Sequence, residues 1–245
     1  MPRTLAAGEL WKKLTLMRLV RIATGTIGDT TTTAAITGSG AETTVGVTAI
    51  TNFTAADECL IIGTGGVEAT KIGTVPALAM PVSPPPLVPQ AVGARFVEGI
   101  EVDLGKIAQN SVTWNATKAL TAVFEEIGDA PVVYIAGNAE FGMEFSLYGY
   151  NGPNIQTLLG YAEAETGTGA AEATAFQVAV GLPGQALQTE QVFRIRGLRH
   201  DAKILELDFL NAYFEARISS QLGREAPAQL QGAVRSSGII FRQWT

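Results

Sequence analysis

The chain has 245 residues, of which 47% are hydrophobic and only 16% charged, with a formal net charge of −6. That length buries a real core in one large all-β domain or two smaller ones, and the low charge points to surface covered by another copy or a partner. The acidic balance excludes a sequence-specific nucleic-acid binder, which needs a basic surface, yet an acidic wall lets a duplex slide past without sticking.

No apolar run reaches the roughly 18 residues that span a bilayer, so a mean hydropathy of +0.21 does not mark a membrane protein. The first residues lack an apolar core followed by a small-residue cleavage site, so no secretory signal is expected. Residues 1–23 read as an N-terminal arm. Arg3, Lys12, Lys13, Arg18 and Arg21 form the densest basic cluster, interleaved with Leu10, Trp11, Leu14, Met17 and Leu19. Leu10, Leu14 and Met17 share a helical face, whereas Leu14, Leu16, Arg18, Val20 and Ile22 fit a strand. Both readings stay open. The arm is expected to lie on a neighbouring subunit, with Trp11 as an apolar anchor.

Residues 24–75 change texture to Thr, Gly, Ala and Val, and read as a small β module. Its strands are expected at 44–50, 59–62 and 67–75, with a hairpin turn at Thr64-Gly65-Gly66. Gly63-Thr64-Gly65-Gly66 is no phosphate loop, because neither a Lys-Ser/Thr pair nor a helix follows. The module is expected on the outside of any assembly. Residues 76–90 hold six of the eleven prolines, Pro76, Pro81, Pro84, Pro85, Pro86 and Pro89. Proline fixes φ and removes donors, so this segment reads as a semi-rigid polyproline-type linker. No basic residue flanks it, as an SH3 ligand requires.

Residues 91–245 form the main body, dominated by strand patterns. Ser111, Thr113, Asn115 and Thr117 alternate with Val112, Trp114 and Ala116, and a second run follows over 119–127, with Lys118 at the turn between them. A strand Val132–Ile135 and a turn at Gly137-Asn138 precede the clearest strand of all. There Ala139, Phe141, Met143, Phe145 and Leu147 lie on one face and Glu140, Glu144, Ser146 and Tyr148 on the other. After Asn151-Gly152-Pro153-Asn154, the residues Ile155, Leu158 and Leu159 keep helical spacing until Gly160, which predicts one short helix. Further strands are expected at 174–180, 191–197, 203–214 and 234–244.

Chemistry-bearing constellations are sparse. Cys59, the single cysteine, lies in an apolar run and excludes an internal disulfide. The single histidine, His200, precedes Asp201, but neighbours on a strand point to opposite faces, and the segment reads as a turn. One His and one distant Cys cannot make a metal site. Glu125-Glu126 and Glu163 with Glu165 read as surface acidity rather than a glycosidase pair. Trp114, Tyr134, Tyr148 and Tyr150 are scattered, as core or interface anchors are. No catalytic, cofactor or metal residue is expected.

From Gly137 to Gly160 an alternating strand ends in the corner Tyr148-Gly149-Tyr150-Asn151, followed by a leucine-bearing helix closed by glycine. This resembles the strand-then-helix signature of bacteriophage tail tube proteins, and the likeness extends in pattern over about residues 91–245, with strands at 97–104, 111–117 and 119–127 where that family places them. The resemblance implies a β-sandwich of the tail-tube type with one short flanking helix, to which the small N-terminal β module is an addition. It implies homo-hexameric rings whose inner strands join into one barrel. The rings stack into a tube in the virion tail, assembled in the host cytoplasm, with other tail proteins as partners. DNA passes through the lumen without specific binding, and no membrane is involved. A tube-initiator or baseplate protein of the same fold, or a carbohydrate- or host-binding β module, are the alternatives. The expected lumen set is Ser111, Thr113, Asn115, Thr117, Thr121 and Glu125.

Overall fold

The computed structural model describes residues 11–23, 25–74, 76–104, 106–107, 111–124, 131–148, 190–199, 202–217 and 229–244. Among them every regular element is a strand: β1 (Trp11–Ile22), β2 (Asp29–Thr31), β3 (Thr44–Gly46), β4 (Glu58–Gly63), β5 (Gly66–Ile72), β6 (Ala79–Ser83), β7 (Arg95–Asp103), β8 (Lys106–Ile107), β9 (Thr113–Phe124), β10 (Pro131–Tyr148), β11 (Gln191–Arg199), β12 (Ile204–Leu210), β13 (Tyr213–Arg217), β14 (Gln229–Ser236) and β15 (Gly238–Trp244). The chain is all-β and its ladders are antiparallel. The expected helix at 155–160 and strand at 174–180 lie outside the described residues.

Ten strands form one sheet in the order β15-β12-β11-β1-β7-β4-β5-β6-β3, with β2 joining β7; β13-β14-β10-β8 with β9 on β10 form a second sheet of five. The large sheet curls until β5 touches β11 and β12. The two sheets meet across one apolar layer in which Met17, Leu19, Phe193, Ile195, Leu207 and Phe209 face Met143, Phe145, Leu147 and Val234. Phe145 stacks on Phe193 across this layer with centroids 5.6 Å apart, and Phe214 meets Phe193 edge-on at 5.4 Å. Each such pair adds about 0.5–1.5 kcal/mol beyond area burial. The strand order passes between the sheets four times, after β7, β10, β12 and β14, and the last two passages lie at neighbouring corners. Asn211, at φ 47°, ends β12 before β13 begins, and Ser237 separates β14 from β15. Asn211 Nδ2 donates to Ser237 Oγ at 3.0 Å, tying the corners together.

Several elements differ from expectation. Residues 11–22, expected as an arm on a neighbour, form β1 between β11 and β7. Apolar side chains on both faces of this segment explain the placement: Met17 and Leu19 enter the inter-sheet core while Val20 enters the interior of the curl. A strand buried on both sides has no clean alternation. The 24–75 segment is hydrogen-bonded into the same sheet, because β4 pairs with β7 from Glu58–Gly99 to Ile62–Arg95. Its hairpin turn falls where expected, with Gly63 opposite Gly66.

The proline-rich segment carries strand β6, paired with both β5 and β3. Beyond it the chain is fastened rather than free. Thr70 Oγ1 donates to Pro84 O at 2.8 Å, and the amides of Leu87 and Val88 donate to the Glu68 carboxylate. The expected runs 111–117 and 119–127 join in one strand over their described residues, β9 (Thr113–Phe124), paired with β10, and 125–127 lie outside the described residues. Lys118 sits mid-strand opposite Ala139, not at a turn. Gly137-Asn138 is likewise no turn but a register shift inside the 18-residue β10. An irregularity of this kind lets a strand bend without ending. The expected strands 203–214 and 234–244 each divide at a sheet-changing corner.

Candidate functional site

Two groups of polar side chains stand out, one enclosed by the curled sheet and one on the outer face of the small sheet. The enclosed group follows from register. In antiparallel strands, residues directly opposite share a face, so Arg18, Arg194, Asp208 and Ile240 form one row across β1, β11, β12 and β15. Arg196, Glu206 and Arg242 form the next.

Arg194 donates to Asp208 Oδ1 at 2.8 Å, Glu58 Oε1 at 2.6 Å and Glu101 Oε1 at 2.9 Å. Arg242 bonds Asp208 and reaches Glu68 Oε1 at 2.9 Å. Arg196 holds Glu206 at 2.5 Å, Lys71 holds Glu58 at 3.0 Å, and Arg18 bonds Glu101. Five carboxylates thus meet five cations, and Glu68, Glu206, Asp208, Arg194 and Arg242 are buried.

Burial pushes the Glu58 and Glu68 carboxyls above the ordinary range, outweighing their cationic and amide partners. Burial also acts on Glu101, but Lys71, Arg18 and Arg194 together hold it below that range. A charge lattice so fully paired has no carboxylate left over for a cation, and no group of three or more metal-type ligands occurs among the described residues. Its role is to fasten strands. Its trace in the sequence is charged residues at period two, Arg194 with Arg196 and Glu206 with Asp208, which alone do not show what they pair with.

The outer group lies on β9, β10, β13 and β14. Met143, Phe145 and Leu147 point into the core, so the alternate residues of β10 face outward. Register places Thr113 beside Glu144 and Ala233, and Gly142 beside Asn115, Arg235 and Tyr213. Thr113, Glu144, Gln231 and Arg235 are exposed. Ser111 Oγ donates to Ser146 O at 3.1 Å and accepts from Ser146 N at 3.2 Å, extending the face beyond the end of β9.

Two open hollows mark this surface. One of about 360 Å³ is lined by Ser111, Thr113, Glu144, Ser146, Gln231 and Arg235 among others, and one of about 460 Å³ by Phe141, Tyr213, Arg235 and Ser237 among others. The chemistry on offer is hydroxyls, one amide, one carboxylate and one guanidinium.

Of the expected lumen set, Ser111 and Thr113 lie on this face. Asn115, Thr117 and Thr121 hold strand positions in β9, opposite Gly142, Glu140 and Ile135, and Glu125 lies outside the described residues. His200, Asp201, Glu126, Glu163, Glu165 and Tyr150 also lie outside them. Cys59 is fully buried, with its thiol toward Asp57 O at 3.9 Å. Burial first, and then Asp57, Glu58 and Glu98, push that thiol upward, the reverse of what a nucleophile requires. No family model, curated protein or solved structure matches the chain.

Proposed function

We propose that this chain is a structural subunit of a phage tail tube, a β-sandwich of the tail-tube type whose hexameric rings stack around a channel for DNA. The observation that carries the reading is the outer face of the five-stranded sheet. Its short polar side chains, Thr113, Ser146 and Gln231, accompany one carboxylate, Glu144, and one guanidinium, Arg235. A channel wall needs this chemistry, because each lysine or arginine bound to phosphate slows the passage of DNA through counterion release. The long β9–β10 hairpin, with strands of 12 and 18 residues, fits the same reading. A strand edge closed by a neighbouring subunit is no longer an aggregation hazard, and a low charged fraction suits a chain that covers its surface with copies of itself. The strand half of the 137–160 resemblance falls within β10.

Negative-stain microscopy of the purified full chain tests the proposal. Long tubes of even diameter support it. Single rings that never stack favour a tube-initiator or baseplate role, and monomers at every concentration favour a host-binding β module.

A further inference from the structure

The charge on this chain is unevenly placed. Residues 30–56 and 72–94 hold a single charged side chain, Glu42, and its carboxylate is engaged by the amide of Thr37 at 3.0 Å. These residues build the lobe around β2, β3 and β6, with its own core of Ile36, Val45, Val47, Phe53, Met80 and Phe96 among others.

The outer side of the lobe is one continuous strip of backbone. Ala79 pairs with Gly46, Thr33 N donates to Gly46 O at 2.9 Å, Gly93 N donates to Thr32 O at 3.0 Å, and Val47 N donates to Leu78 O at 2.8 Å. Next in sequence to the strip's end residues, Gly93 and Ala79, are the two most exposed large apolar side chains among the described residues, Val92 at 64% and Leu78 at 61%. Thr33 and Ala79 in the strip are exposed too, as are the neighbouring Ala34 and Ala35.

From this surface we infer that the Leu78–Val92 strip is an interface between copies of this chain, a contact that rests on the tube reading and adds a surface to it. Two copies with a net charge of −6 each repel wherever their acidic surfaces meet. The strip is where that repulsion is smallest and where apolar area is available to bury. A strongly basic or acidic partner finds no counter-charge there. On this inference the lobe, expected on the outside of any assembly, takes part in the contacts between copies.

The test compares the full-length wild type with Leu78→Glu/Val92→Glu and with the milder Leu78→Ser/Val92→Ser. Sedimentation velocity over a concentration series reads assembly, and circular dichroism with thermal melting reads the fold. The Glu pair should raise the concentration of half-assembly by at least about tenfold, because it sets like charges face to face. The Ser pair should raise it less, and melting should stay at the wild-type midpoint. Folded variants that assemble at the wild-type concentration overturn this inference and leave the tube reading intact. A wild type that stays monomeric overturns both. Loss of fold in both variants shows that Leu78 and Val92 serve the interior, which also overturns it.

Discussion

Glu68 of β5 and Arg242 of β15 meet at 2.9 Å, although no backbone ladder joins their strands. Beside them Val67 N donates to Asn211 Oδ1 at 3.1 Å. The curl of the large sheet is closed by side chains: this pair, Asn211, and the apolar contact of Val67 and Ala69 with Leu210 and Ile240.

Replacing Arg242 by Ala leaves Glu68 and Asp208 buried with less counter-charge. Breaking a buried pair from one side costs about 3–5 kcal/mol, so urea unfolding should place Arg242→Ala lower than wild type by that amount. Replacing Arg196, whose side chain is about one-third exposed, should cost much less.

The lattice also predicts opposite pH signatures for two of its members. Glu101 titrates below the ordinary carboxylate range when folded. Its contribution is therefore complete above that range and lost as pH falls through the folded value. The stability advantage of wild type over Glu101→Gln should shrink in acid. Glu58 titrates above the range. Its ionised form carries a burial cost that disappears as pH falls through the raised value, because the native state there binds more protons than the unfolded one. Wild type should thus gain on Glu58→Gln as pH drops from neutral toward the ordinary range. Chemical denaturation of the three proteins across pH checks both slopes, and parallel curves contradict the assignment.

Deleting residues 24–75 should abolish the native fold rather than trim a decoration. The deletion removes β2 to β5, together with Leu60, Glu58 and Glu68, so Arg194 loses Glu58 and Arg242 loses Glu68. Circular dichroism and proton NMR should report an unfolded or aggregated chain, whereas a dispersed, cooperative spectrum would show the body to be independent.

The proline-rich segment is fastened at its C-terminal end through the β4–β5 turn. Gly65 N donates to Gln90 Oε1 at 3.1 Å, and a Cβ at Gly65 would lie 2.1 Å from Pro89 O. Gly65→Ala should cost about 1–3 kcal/mol through this overpacking, read as a lowered melting midpoint. An unchanged midpoint would show that the segment moves aside freely.

Strand-rich character was legible in the sequence wherever one face of a strand is buried. The alternation at Met143, Phe145 and Leu147 marks β10, and Gly63 to Gly66 marks a turn. Legibility failed for β1, where Met17, Leu19 and Val20 are buried on opposite faces and the basic cluster interleaved with large apolar residues suggested an arm on a neighbouring subunit. It failed again for the connector, because proline content describes backbone stiffness and not the Glu68 and Thr70 contacts that hold the segment down. The charge lattice was invisible for a topological reason. Glu58 and Arg194 are 136 positions apart in the chain, and only the order of strands brings them together. On the outer face, Ser111, Thr113, Glu144 and Ser146 were legible as a polar set, but not the single strand β9 that carries Thr113.

The most direct measurement is a helical reconstruction by cryo-electron microscopy of the assembled chain. The account predicts a tube with Thr113, Glu144 and Gln231 on the lumen wall and Met143 and Phe145 behind them in the core. A tube in which Glu144 and Gln231 face the outside, or contact another subunit's core, would contradict it, as would a particle with no axial channel.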